Sequence, residues 1–210
     1  EGVGHRRRIR SADALLTSEP SWVHQRLKTE LFAVDRDTAD YARVLNLAFR
    51  GSGGSLRDNF TLISVSRVQN LFLLQKFQAE RQNLIAHRGI DDVTEMSLFH
   101  GTLSHDPHAI VLKRQGFMID YASDGFYGKG LYFAERPRYS HKYAHASNGI
   151  DGTAHFTFLI CRVLCGRIRR MGADIDRSLT RLALPPDEYD SVEGGPHVPP
   201  RGCVRPWGCT

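Results

Sequence analysis

The run AHFTFLICRVLCG at residues 154–166 limits the fold most tightly. It is rich in β-branched, aromatic and other apolar side chains, and these fall at both odd and even positions. A strand of that kind needs cover on both faces, so it is expected at the centre of a sheet. The rest of the chain must supply partners for it.

The stretch QNLFLLQKFQAERQNLIA at 69–86 has Leu71, Leu74, Phe77 and Leu84 near helical period and is predicted to be a helix. FTLISVSRV at 60–68 reads as the strand before it. Trp22, Val23, Leu27 and Leu31 in SWVHQRLKTELF (21–32) have mostly helical spacing after a possible Ser21 cap. DTADYARVLNLAF (37–49) is a second helix or an irregular connection, and RGSGGS (50–55) is a breaker. Further on, MSLFHGT (96–102) is an apolar approach ending in His-Gly-Thr. PHAIVLKRQGF (107–117) is a short helix closed by Gly116, and RYSHKYAHA (138–146) is read as another helix. Residues 167–188 are expected to be a long loop and YDSVEGG (189–195) a turn-rich segment.

With 210 residues, 41% hydrophobic and 24% charged, the chain suits one globular domain with frayed ends. The net charge of +5 owes much to HRRRIR at residues 5–10, in a segment (1–20) expected to be disordered and solvated rather than a binding arm. No helix, finger or RNA-binding motif marks nucleic-acid recognition. No apolar run is long enough to cross a membrane, and the N-terminus lacks the apolar core of a secretory signal. Cys161, Cys165, Cys203 and Cys209 lack the spacing of a zinc knuckle, so free thiols in a reducing, intracellular compartment, nuclear or cytoplasmic, are expected.

Two motifs have plain structural readings when taken singly. In FHGT, His100 could be a histidine hydrogen-bonded at a strand end, while Gly101 would let a ligand approach the backbone. GKGLYFA is a weak phosphate-loop signal, and Leu131, Tyr132 and Phe133 could be a short core strand. Together with Ser140 and Tyr143, three residues apart on a helical face, they make a sharper set. Aromatic rings can sandwich a flat ligand, backbone groups and a hydroxyl can read a carboxamide, and a histidine can hold a ribose hydroxyl.

LFHGT, FYGKGLYFA, YSHKYA, LICRVLCG and YDSV occur in that order. Together they resemble the catalytic domain of the poly(ADP-ribose) polymerase superfamily, most closely the members that transfer a single ADP-ribose. ISVSRVQNLFLLQKF (63–77) resembles the strand and helix that open that domain, and the likeness spans roughly residues 21–195. The resemblance implies an α+β fold with a split, mainly antiparallel sheet and flanking helices. It implies NAD+ as co-substrate without a metal, and protein acceptors as partners. It assigns His100 to the adenosine-side ribose, Gly101 to the nicotinamide carboxamide and Thr102 to the cofactor's neighbourhood. Tyr132 would line the nicotinamide slot, Ser140 would bond the carboxamide and Tyr143 would stack on the ring. On this reading Gly128 and Gly130 let the backbone turn close to the ring, Tyr127 and Tyr139 are packing residues, and Lys129 is solvent-exposed.

One part of the family pattern is missing. Polymerising members complete a His-Tyr-Glu triad from a late strand, but here YDSVEGG runs into a Pro-rich tail at 196–210. Neither Glu188 nor Glu193 is assigned that role. Single transfer, or no transfer by a silent module that binds NAD+, ADP-ribose or partner proteins, is therefore expected, together with a domain truncated at its C-terminal end. His105 with His108, and His141 with His145, read as surface histidines rather than metal pairs, and His155 as a packing residue.

Overall fold

The computed structural model describes residues 22, 29–49, 61–122, 124–125, 127–172 and 188–194. The basic N-terminal segment, the 50–55 breaker and the Pro-rich tail lie outside these residues, as do Cys203 and Cys209.

Strand β1 (Glu30–Ala33) pairs antiparallel with β2 (Ser66–Gln69), Glu30 opposite Gln69. The helical spacing read over 21–32 thus ends in a strand, because residues 30–33 find a ladder of backbone partners in β2 that outweighs a local propensity. The strand expected over 60–68 is shorter at its start, beginning at Ser66. Between β1 and β2 lies helix α1 (Ala39–Phe49), opened by Thr38, whose hydroxyl accepts from the Tyr41 N–H at 3.2 Å. Asp40 in its first turn pairs with Arg67 of β2 and so fastens helix to strand.

Helix α2 (Leu71–Arg88) starts where Asn70 Oδ1 accepts from the Leu73 N–H at 3.1 Å, and ends at Gly89, whose N–H donates to Ile85 O. Its buried Arg81 faces Glu95 of β3 (Thr94–His100) at 3.8 Å. Arg162 of β8 (Leu159–Gly166) donates to the same carboxylate at 2.5 Å and lies over the Phe77 ring. Two guanidiniums thus offset the cost of burying one carboxylate.

The long apolar run is two strands. β7 (Ala154–Thr157) pairs with β6 (His145–Asn148), and β8, beginning after Phe158, pairs with β3. Among the described residues β8 pairs with β3, and β3 is met on both sides. On its other side, Phe99 exchanges backbone hydrogen bonds with Ala134 at 2.7 and 2.9 Å. Phe99 and Leu98 are buried there.

The expected helix at 138–146 is compressed into α4 (Pro137–Ser140) and a tighter turn at His141–Tyr143, since β6 claims the chain from His145. The predicted loop and turn near the C-terminal end carry β9 (Ile168–Gly172) and β10 (Ser191–Gly194), paired in parallel. Every other strand pair among the described residues is antiparallel, giving the α+β architecture that the resemblance implies. Asp190 of YDSV secures this end: its carboxylate accepts from the Arg167 N–H at 2.8 Å and from Arg88 at 3.2 Å. Ser191 Oγ donates to Cys165 O at 2.6 Å. Burial pushes the Cys165 thiol up to about 11, which keeps it protonated at neutral pH.

Candidate functional site

The predicted residues meet around the end of β3. His100 closes the strand, and its Nδ1 lies 2.8 Å from Tyr132 O. A carbonyl can only accept, so Nδ1 carries the proton, and in the neutral ring Nε2 is left as an acceptor. Burial lowers the His100 pKa below its usual value, and the bond to Tyr132 opposes this only in part. The strand-end hydrogen bond of the plain reading is therefore present, and it leaves the second nitrogen fixed in direction. Phe117 and Phe133 lie against the imidazole, with ring centres 4.8 and 5.2 Å away. No local periodicity marks these two phenylalanines; only the meeting of three distant segments makes them walls of the site.

At Gly101 the chain comes so close to Tyr143 and Ala144 that any Cβ would collide with the Tyr143 carbonyl and stand 2.8 Å from Ala144 N. Thr102 is buried, its Oγ1 donating to His105 O at 2.6 Å. Leu103 follows with a φ of 53°, unusual for a branched side chain. Two bonds hold it there: its N–H donates to Tyr143 O at 2.7 Å, and its carbonyl accepts from His145 Nδ1 at 3.0 Å. Ser140, in α4 and buried, donates from Oγ to Phe99 O at 3.2 Å. The Tyr143 ring, 40% exposed, lies beside the Tyr139 ring with centres 6.1 Å apart.

Tyr132 follows a neighbouring hairpin of β4 (Asp124–Gly125) and β5 (Gly128–Lys129) and folds back on it. Its hydroxyl donates to Gly128 O at 2.6 Å and accepts from the Tyr127 N–H at 3.0 Å. The ring sits where a side chain on Gly125 would be. Gly128, at a φ of 96°, makes the turn that a side chain would strain, so it shapes the hairpin around the Tyr132 hydroxyl. Gly125 is a member of the site that the sequence reading passed over, although it stands three residues before Gly128 in the same glycine-rich stretch. Tyr127 packs on Gly194 of β10, and Lys129 is exposed.

Three further histidines have local contacts. His108 lies 2.9 Å from the Asp106 carboxylate, His141 packs against Phe156, and His155 Nε2 is 3.2 Å from Thr153 Oγ1. Among the described residues no group of three or more His, Cys, Asp or Glu side chains converges as metal ligands would. Glu193 of β10 faces Arg170 at 3.2 Å. No helix among the described residues is long and apolar enough to cross a membrane.

Comparison with known proteins bears on this arrangement. The family model of the poly(ADP-ribose) polymerase catalytic domain matches residues 38–200. A probable poly [ADP-ribose] polymerase of Dictyostelium discoideum is 35% identical over 114 residues, 53% of this chain and 33% of that protein. The human protein mono-ADP-ribosyltransferase PARP11 is 30% identical over 126 residues, 59% of this chain and 36% of its own. Human protein mono-ADP-ribosyltransferase PARP12 is 33% identical over 127 residues, 60% of this chain and 17% of its own. The matched part is thus about a third or less of each relative's length.

Proposed function

This chain belongs to the poly(ADP-ribose) polymerase catalytic-domain family, and from that premise we propose that it transfers single ADP-ribose units from NAD+ to protein side chains and releases nicotinamide. The observation that carries the reading is the junction at the end of β3. There a glycine without room for a side chain lies beside the Tyr143 backbone, a histidine has one nitrogen committed and the other directed, and a buried serine is bonded to the Phe99 carbonyl.

On this reading Gly101, the residue just past β3, would offer its N–H and C=O to the ligand. They would bind the nicotinamide carboxamide, with Ser140 Oγ turning from Phe99 O to join them. The Tyr143 ring would stack on the pyridinium, a contact worth about 0.5–1.5 kcal/mol beyond its area. Tyr132, held by Gly128 and the Tyr127 N–H, would wall the slot, and Thr102 would close its floor. His100 Nε2 would accept a hydrogen bond from an adenosine-side ribose hydroxyl. Its low pKa suits this, because a protonated ring would have no acceptor to offer.

The chemistry is a displacement at C1′ of the nicotinamide ribose. The C1′–N bond breaks with its electron pair left on nitrogen, so the pyridinium becomes neutral nicotinamide and the sugar passes through an oxocarbenium-like state. An oxygen or nitrogen of the acceptor attacks C1′ and gives up its proton to water. The residues named here bind and orient, and such positioning supplies much of the acceleration in reactions of this kind. Two of the curated relatives are named as mono-ADP-ribosyltransferases, which supports single transfer. An intracellular setting, nuclear or cytoplasmic, goes with the reading.

Incubation with labelled NAD+ tests it. One nicotinamide released per protein-bound label, without a ladder of longer products, is the expected result. A ladder would replace single transfer with elongation. Neither label nor nicotinamide from folded protein would favour a silent member that only binds NAD+, ADP-ribose or a partner protein.

A further inference from the structure

We propose that Asn70 is a positioning residue for the His100 side of the site, acting through the segment 111–117. The side chain is buried and uses both of its ends. Its Oδ1 caps α2 by accepting from the Leu73 N–H at 3.1 Å. Its Nδ2 donates to Val111 O at 3.3 Å and to Lys113 O at 3.2 Å, two carbonyls at the C-terminal end of helix α3 (Pro107–Val111). Carbonyls at a helix end lack intrahelical partners, so one amide serves the start of one helix and the finish of another.

The next residues of α2 extend the grip. The Arg114 guanidinium lies 4.0 Å from the centre of the Phe72 ring. At Gly116 the Leu73 side chain fills the space of a missing Cβ, with Cδ2 2.8 Å from that position. Residue 117 follows at once, and the Phe117 ring meets the His100 imidazole edge to face at 4.8 Å and Phe133 at 5.8 Å. Contacts therefore run from Asn70, Phe72 and Leu73 through 111–116 to Phe117 and His100. Asn70 is the link that binds the segment by hydrogen bonds.

The cap and the tether can be separated. Asn70→Ser keeps an oxygen for the Leu73 N–H and removes both donors to 111–113. Asn70→Asp also keeps the cap and places a carboxylate against the two carbonyls. The first readout, the NMR signals of the His100 ring and the amide exchange rates of 111–117, needs no turnover. The second, KM for NAD+ against kcat, rests on the function proposed above.

Both variants should shift the His100 signals and speed exchange in 111–117 while α2 stays protected. KM should rise about tenfold, a loss of ~1.4 kcal/mol in NAD+ binding, with kcat within about twofold. Phe117→Leu should raise KM similarly, and its combination with Asn70→Ser should add little more, because both cut one path. Unmoved His100 signals, or additive effects of Asn70→Ser and Phe117→Leu, overturn the proposal. If the wild-type protein does not turn over NAD+, the functional reading fails, and the His100 signals alone decide for or against Asn70.

Discussion

Two glycine–tyrosine contacts build the site, and they differ in which part of the tyrosine the glycine meets. Gly101 is pressed against the main chain of Tyr143 and Ala144. Gly125 is covered by the far end of the Tyr132 side chain. A backbone that also receives the Leu103 N–H cannot yield without carrying a strained residue with it. A ring can tilt, although tilting takes its hydroxyl away from Gly128 O and the Tyr127 N–H. The first contact is thus a rigid seam between β3 and the 141–144 turn, and the second is a latch.

The seam should break hardest. Gly101→Ala is expected to cost about 3 kcal/mol, the upper end for overpacking. That would lower the melting temperature by roughly 6–12 °C for a domain of this size, and transfer from NAD+ should be abolished. Thermal unfolding and labelled-NAD+ assays on the same sample check both. The latch should give less. Tyr132→Phe leaves the Gly128 carbonyl and Tyr127 N–H without that hydroxyl, for a loss of about 1–2 kcal/mol in denaturant unfolding. Gly125→Ala displaces the ring and should cost about 1 kcal/mol, less than the same change at Gly101. Equal losses at the two glycines would erase the distinction between seam and latch.

The smallest expected effect is a pH dependence. The folded His100 pKa lies below the usual value near 6.5, so its contribution to stability is complete above that value and is lost as pH falls through the folded one. Stability measured between neutral and mildly acid pH should decline, and His100→Gln should flatten the decline. A residual slope is expected from His141, whose pKa burial also lowers.

The sequence made some of this plain and hid the rest for physical reasons. Helix α2 was visible because its periodicity is a local property, whereas α1 was left open between a helix and an irregular connection, and the caps at Thr38 and Asn70 went unmarked. The end of β3 was visible because His-Gly-Thr belongs to a chain of motifs whose order is specific. The 154–166 run concealed its break at Phe158, since both halves are apolar and residue type does not show where a strand changes partner. Strands β1 and β10 were hidden because each depends on a distant partner, β2 for one and β9 for the other. Phe117, Phe133 and Gly125 were missed for the same reason. Their places follow from contacts with His100 and Tyr132 that only the folded chain creates.

The central claim is that the junction at the end of β3 and its latch form an NAD+ site. Its most direct test is protein-bound label and released nicotinamide for the wild-type protein beside His100→Ala and Tyr132→Ala, each shown to be folded. The account predicts single-unit labelling by the wild type and its loss in both variants. Undiminished labelling by either folded variant would contradict it, since the atoms proposed to hold the ribose and wall the slot would then be dispensable.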